Sequence, residues 1–153
     1  MSIPLAPSFL CLWAIANSEA WFCQGAVIEP AHFWVGCLKM TDPRLAKVLC
    51  DGGESSDECK EFAMDAKRIL SYLEMDVEMA ATRRRKMRAK LLRGRSPRDF
   101  PEGRLPMLHR SESSRRLFEL AARKAAERGA KEVTPLHLLE SLFEMKLVSL
   151  SSL

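Results

Sequence analysis

The segment Ser111–Glu144, SESSRRLFELAARKAAERGAKEVTPLHLLESLFE, decides how the fold is read. Ser111 or Ser113 can cap a helix, because a serine oxygen accepts a bond from a free N–H of the first turn. Leu117, Ala121 and Ala125 then recur every fourth residue, which puts them on one face of a helix running to about Arg128. Gly129 ends that helix. Thr134 followed by Pro135 opens the next one, to about Lys146, because proline suits a first helical turn. The product is a helical hairpin.

The same hairpin is written earlier in the chain. A shift of 105 residues lays Ser8–Met40 over Ser113–Met145 without a gap. Leu12 then meets Leu117, Trp13 meets Phe118, Ala16 meets Ala121, and Ala20 meets Ala125. Ile28 likewise meets Val133, Pro30 meets Pro135, and His32 meets His137. Small alanines let two helices approach closely, a leucine and an aromatic fill the gap beside them, and proline sets the entry of the second helix. Self-similarity of this kind marks a repeated structural unit.

Between the copies, Asp42-Pro43 starts a short helix through Leu49, and Asp51, Gly52 and Gly53 break it. Residues 56–93 contain no Gly or Pro, and Phe62, Ala66, Ile69, Leu70, Leu73 and Val77 fall at helical spacing. This stretch is read as one long helix, or two in line. Residues 94–110, with Pro97, Pro101, Pro106, Gly94 and Gly103, form a linker. The tail Ser149–Leu153 is expected to fray. No alternating run of β-branched residues argues for a sheet, so the expected class is all-α. The layout is one domain over residues 1–153, with a first repeat at about 8–50, a second at about 111–146, and Ser8 and Gly25 bounding the first helix.

At 153 residues and 47% hydrophobic, the chain can bury a core in water. No stretch is apolar enough to cross a bilayer, since Glu19 and Glu29 interrupt the N-terminal run, and no basic residue precedes that run as in a signal peptide. A cytoplasmic location is expected. Five cysteines, an odd number without a Cys-x-x-Cys pair, read as reduced thiols. The scattered histidines give a metal no ligand cluster, and no cofactor is expected. His32 and His137 each fall in a first helical turn, where an imidazole can bond a free backbone group. That structural role is favoured over a catalytic one, because no nucleophile or carboxylate partner lies at useful spacing.

Leu117-x-x-x-Ala-x-x-x-Ala, a short turn, and Thr134-Pro-Leu-His-Leu-Leu together resemble the second repeat of the N-terminal (Clp repeat) domain of the Clp chaperone ATPases. Residues 8–40 are similar to a degenerate first repeat, in which His32-Phe33-Trp34 replaces His-Leu-Leu. The two hairpins cover under half of the chain. The resemblance implies a pseudo-two-fold helical domain that docks a substrate, an adaptor or a Clp-type ATPase, without enzymatic activity of its own. Several departures matter. No Walker A sequence is present, so no loop is expected to cradle a nucleotide phosphate and the ATPase engine is not expected here. The helices that normally complete the second repeat are expected to be missing. Family members that recognise phosphoarginine carry an acidic residue before the motif histidine; here those places hold Ala31 and Leu136, so phosphoarginine binding is not expected.

Two surfaces qualify for function. Arg115, Arg116, Glu119, Glu127, Arg128, Glu132 and Glu140 in the second copy correspond to Leu10, Cys11, Ala14, Phe22, Cys23, Val27 and Val35 in the first. A hairpin apolar nearly all round is buried on more than one side, either within the monomer or by a partner or second copy of the chain. Trp13, Trp21, Phe22, Trp34 and Val35 are its candidate partner-binding residues, and Pro30, His32, Pro135 and His137 its structural motif. The other surface is the basic run Arg83–Arg98, with Arg83, Arg84, Arg85, Lys86 and Arg88 as candidate phosphate contacts for nucleic acid or the ribosome. It lacks interleaved aromatics for base stacking, and the net charge of the chain is only +4. Protein binding is therefore the first reading and nucleic-acid binding the second.

Overall fold

Prolines stand at the start of four of the seven helices found among the described residues, where a missing N–H costs no hydrogen bond. The structure, a computed structural model, describes residues 2–49 and 57–148. The helices are α1 (Pro7–Phe22), α2 (Pro30–Met40), α3 (Pro43–Leu49), α4 (Asp57–Leu73), α5 (Val77–Leu92), α6 (Glu112–Glu127) and α7 (Pro135–Glu144). No strand forms among the described residues, which makes the fold all-α, as expected. None of these helices is long and apolar enough to cross a membrane. The expected break at Asp51–Gly53 and the frayed tail at Ser149–Leu153 fall outside the described residues.

Helix α1 packs on α2, and α6 packs on α7. The first pair is held close by Gly36: a Cβ there would come within 2.9 Å of Leu12 Cδ1, inside contact distance. The turns match as well. Gln24 and Gly129, in corresponding places, both adopt the left-handed conformation that ends a helix, at φ 63° and 66°. Gly25 is therefore not the stop; Gln24 takes the strained position one residue earlier.

The two hairpins bind each other through one set of contacts made twice. Ile28 N–H donates to His109 O at 2.8 Å, and Ser111 N–H donates to Ile28 O at 3.0 Å. In the corresponding places, Val133 N–H donates to Pro4 O and Ala6 N–H to Val133 O, both at 2.9 Å. Each hairpin's connecting turn thus holds the segment that precedes the other hairpin, forming two isolated bridges, Leu5 with Val133 and Ile28 with Arg110. Reciprocal contacts of this kind are those of a two-fold relation. Trp13 and Phe118, which correspond to each other, meet edge to face with ring centroids 5.0 Å apart. Phe9 and Phe33 approach the same Phe118 ring at 5.1 and 5.2 Å.

Three expectations need correction, and a fourth is narrowed. Ser8 does not cap α1: the helix starts at Pro7 after Ala6, and the Ser8 hydroxyl donates instead to the buried carboxylate of Asp65. The stretch 56–93, expected as one long helix or two in line, is two helices, α4 and α5. Glu74 turns left-handed (φ 54°), and Asp76 restarts the chain as an N-cap, accepting from Met79 N–H at 2.8 Å. The aspartate signal was available in the sequence, but no Gly or Pro drew attention to the break. Residues 94–106 are more than a linker, because they lie along α1, as described below. Finally, Cys11, Cys23 and Cys37 are free thiols, but Cys59 is disulfide-bonded, so the cysteines are not all reduced.

Candidate functional site

Helix α1 carries one charged side chain, Glu19, and that carboxylate is 2% exposed. It sits on the face that also carries Ala16 and Ala20, turned toward α2 and α5, where a buried carboxylate needs a counter-charge. Arg88 of α5 supplies it with two bonds, Nε to Oε2 at 3.0 Å and Nη2 to Oε1 at 2.5 Å, and Lys39 adds a longer contact at 3.5 Å. Helix α5 is thereby fixed over α2, and it covers the surface that the second hairpin leaves in solvent.

The segment after α5 continues the cover. Arg95 Nη2 donates to Cys23 O at 3.1 Å, and Arg98 donates to Trp21 O and Gly25 O at 3.0 and 3.1 Å. These oxygens belong to the C-terminal end of α1 and its turn, where partial negative charge favours a guanidinium. The Arg98 guanidinium also lies 3.8 Å from the centroid of the Trp21 ring, and Trp21 Nε1 donates to Asp99 O at 2.9 Å. Phe100 stacks on Phe22 at 6.3 Å. Residues 95–100 thus form a strap across the end of the first hairpin.

The candidate partner-binding residues therefore divide. Trp34 and Val35 are fully buried within the chain and offer no surface to a partner; Trp34 packs edge-on against Phe143 of α7 at 5.7 Å. Trp13, Trp21 and Phe22 are half-buried, under Arg110, Arg98, and Arg88 with Phe100, respectively. The bulkiest apolar side chains are the ones the fold has covered, because they release the most apolar area from water. Smaller ones remain in solvent. Leu10 is 52% exposed, and Ala14 lies one turn further on the same side of α1. Met107, 58% exposed, is held beside this face, because Asn17 donates to Pro106 O and accepts from Leu108 N–H. The half-to-half comparison had named Leu10 and Ala14, but the weight given to aromatics passed over them; Met107 had no sequence signal.

Part of the basic run is turned inward. Arg84 pairs with Asp42, Arg88 with Glu19, and Arg95 and Arg98 with main-chain carbonyls. Arg85 donates to Thr82 Oγ1, while Lys86 and Arg93 are exposed. Arg83 has a partner of its own.

The histidines do the same work in both hairpins. His32 Nδ1 accepts from Glu29 N–H at 2.8 Å, and His137 Nδ1 accepts from Thr134 N–H at 3.0 Å, each closing the first turn of its helix behind Pro30 or Pro135. Accepting at Nδ1 requires a neutral ring, and burial pushes the His32 pKa down to about 4; His137 is lowered for the same reason. No group of three or more metal-binding side chains is gathered among the described residues. No protein-family model matches the chain, and no curated protein matches it.

Proposed function

We propose that the chain is a non-enzymatic protein-binding module of the Clp N-terminal type, and that it docks a segment of another protein on the solvent side of α1. The reading rests on one observation above the others: α1 presents Leu10, Ala14 and, beside them, Met107 to solvent with no charge among them. The corresponding places on α6 hold Arg115 and Glu119. An uncharged strip on a scaffold whose other half is charged at the same positions is a difference of surface, because both helices are anchored alike. The reciprocal bonds between the hairpins and the matched histidine caps support the resemblance to the Clp repeat domain. A Clp-type ATPase, its substrate or an adaptor is the partner that resemblance suggests, and a cytoplasmic location goes with it.

The test transplants the charged face. Leu10→Arg with Ala14→Glu installs the second hairpin's own residues at exposed positions, so the fold is retained. Binding to a permanently unfolded, carboxymethylated protein is followed by fluorescence anisotropy at about 0.05 M and 0.5 M salt, which straddles the range where surface charge is screened. The wild type is expected to bind at both salt levels, and the transplant to bind roughly tenfold or more weakly, as for loss of a central contact. Equal binding by the transplant would remove α1 as the site. Binding that vanishes at high salt would transfer the function to Lys86, Arg93 and their neighbours, and to nucleic acid.

A further inference from the structure

Arg110 stands at the place that Leu5 holds in the other half of the repeat, and the two make corresponding bridges, Arg110 with Ile28 and Leu5 with Val133. A position that is apolar in one half thus carries a cation in the other. The Arg110 guanidinium lies over the rings of Trp13 and Phe118, 4.9 and 4.5 Å from their centroids. Trp13 is one turn of α1 beyond Leu10, and Met107 precedes Arg110 in the segment that runs beside α1. The cation therefore borders the uncharged strip of Leu10, Ala14 and Met107.

That charge has no answer within the described residues. The Arg110 side chain forms ring contacts there, but no ion pair and no hydrogen bond. The buried side-chain atoms left without a partner are Trp13 Nε1 and Arg84 Nε, so the unbonded Arg110 nitrogens are open to solvent. Burial and, after it, the charge of Arg115 hold the Arg110 pKa below the ordinary arginine value, and no carboxylate opposes them. Among the neighbouring acids, Glu112 is taken up by Arg116, and Glu119 lies one turn past Arg115 on α6 and balances it. Glu102 and Arg104, earlier in the same segment, balance each other. One accessible positive charge remains at the edge of the strip.

We propose that the segment docked on the α1 face is both aliphatic and acidic, its apolar side chains covering Leu10, Ala14 and Met107 while one Asp or Glu carboxylate accepts from the Arg110 guanidinium. A guanidinium offers a carboxylate a planar fork of donors, and an apolar cover over the strip keeps water from competing for them. A basic segment would instead set like charges side by side. The inference rests on α1 being the docking face, and it adds which segments that face selects.

The test uses the whole chain and pools of labelled decapeptides with blocked ends, built from Leu, Val, Ala, Ser and Gly in random order around a central Glu, Gln or Lys. In fluorescence anisotropy at about 0.05 M salt, the Glu pool is expected to bind about fivefold more tightly than the Gln pool, the size of a partly exposed charge pair, and the Lys pool most weakly. At about 0.5 M salt the preference is expected to shrink to about twofold or less while apolar binding persists. Arg110→Leu installs the residue of the corresponding place and keeps the packing on Trp13. It is expected to bind the Glu and Gln pools equally, whereas Arg110→Lys should retain a preference for Glu. A Glu preference that survives in folded Arg110→Leu would overturn the inference, and so would equal binding of the Glu and Gln pools by the wild type. In that second case, loss of all binding in Leu10→Arg with Ala14→Glu would leave the α1 face itself standing. Undiminished binding of every pool by the double variant, or no binding of any pool by the wild type, would remove the face and this inference with it.

Discussion

Cys23 and Val35 in the first hairpin occupy the places that Arg128 and Glu140 hold in the second. The first two are buried under α5 and the strap, whereas Arg128 and Glu140 reach across the surface and bond to each other at 2.7 and 2.5 Å. A second pair of places shows the same contrast with the charges exchanged. Glu19 and Lys39 face each other across α1 and α2, and Lys124 and Glu144 do so across α6 and α7. Glu19 is deeply buried and is held by Arg88 as well, whereas Glu144 is open to water. One backbone plan therefore supports two chemistries, and the choice between them follows from what lies on top of each hairpin.

Deleting a large side chain at matched core positions tests that contrast most strongly. Trp34→Ala is expected to cost about 4 kcal/mol, because the ring is fully buried and its neighbours can refill little of the space. Leu139→Ala, at the corresponding place in the other hairpin, should cost about 3 kcal/mol by the same argument. Urea midpoints measure both. A Trp34 variant within error of the wild type would show that the ring is not buried against Phe143 of α7.

Removal of one cation from each hairpin sharpens the comparison. Arg88→Met leaves the Glu19 carboxylate buried with only Lys39 at 3.5 Å, and should cost roughly 3 kcal/mol. Arg128→Met breaks a bidentate pair whose guanidinium is half-exposed, and should cost less than about 1 kcal/mol. Equal effects would mean that Glu19 is solvated in solution.

Acid should separate the hairpins through their histidines. In the unfolded chain His32 takes up a proton near 6.5, but in the folded chain only near 4. Between those values the unfolded state binds more protons, so stability falls as pH falls from 6.5 toward 4 and then levels for this group. The loss is on the order of 3 kcal/mol from His32. His137 acts in the same direction. Asp65, whose carboxyl burial raises, takes its proton more readily in the fold and opposes the trend at the acid end. Urea midpoints across this window should fall less in His32→Asn, whose side chain can still accept from Glu29 N–H.

The repeat was legible because its signals are local. Pro30 and Pro135, the alanine pairs and the two histidines act within one turn of their own backbone, so their spacing in sequence is their spacing in space. The cover was not legible, because a run such as Arg83–Arg98 looks the same whether its charges meet water or a carboxylate far away in sequence. One clue did exist: Glu19 is the sole charge on an otherwise apolar helix, which asks for a buried cation. The break at Glu74 was hidden for a different reason. A left-handed glutamate gives no warning that a glycine would have given, and Asp76 is a cap only once the chain has turned.

Hydrogen exchange at four amides tests most directly that the two hairpins are one unit repeated and locked together. Ala6, Ile28, Ser111 and Val133 lie outside every helix, yet each donates to the reciprocal contacts between the hairpins. All four are predicted to be protected, and to lose protection together, near the free energy of global unfolding. Protection of Ile28 and Ser111 with free exchange at Ala6 and Val133 would contradict the two-fold relation on which the account is built.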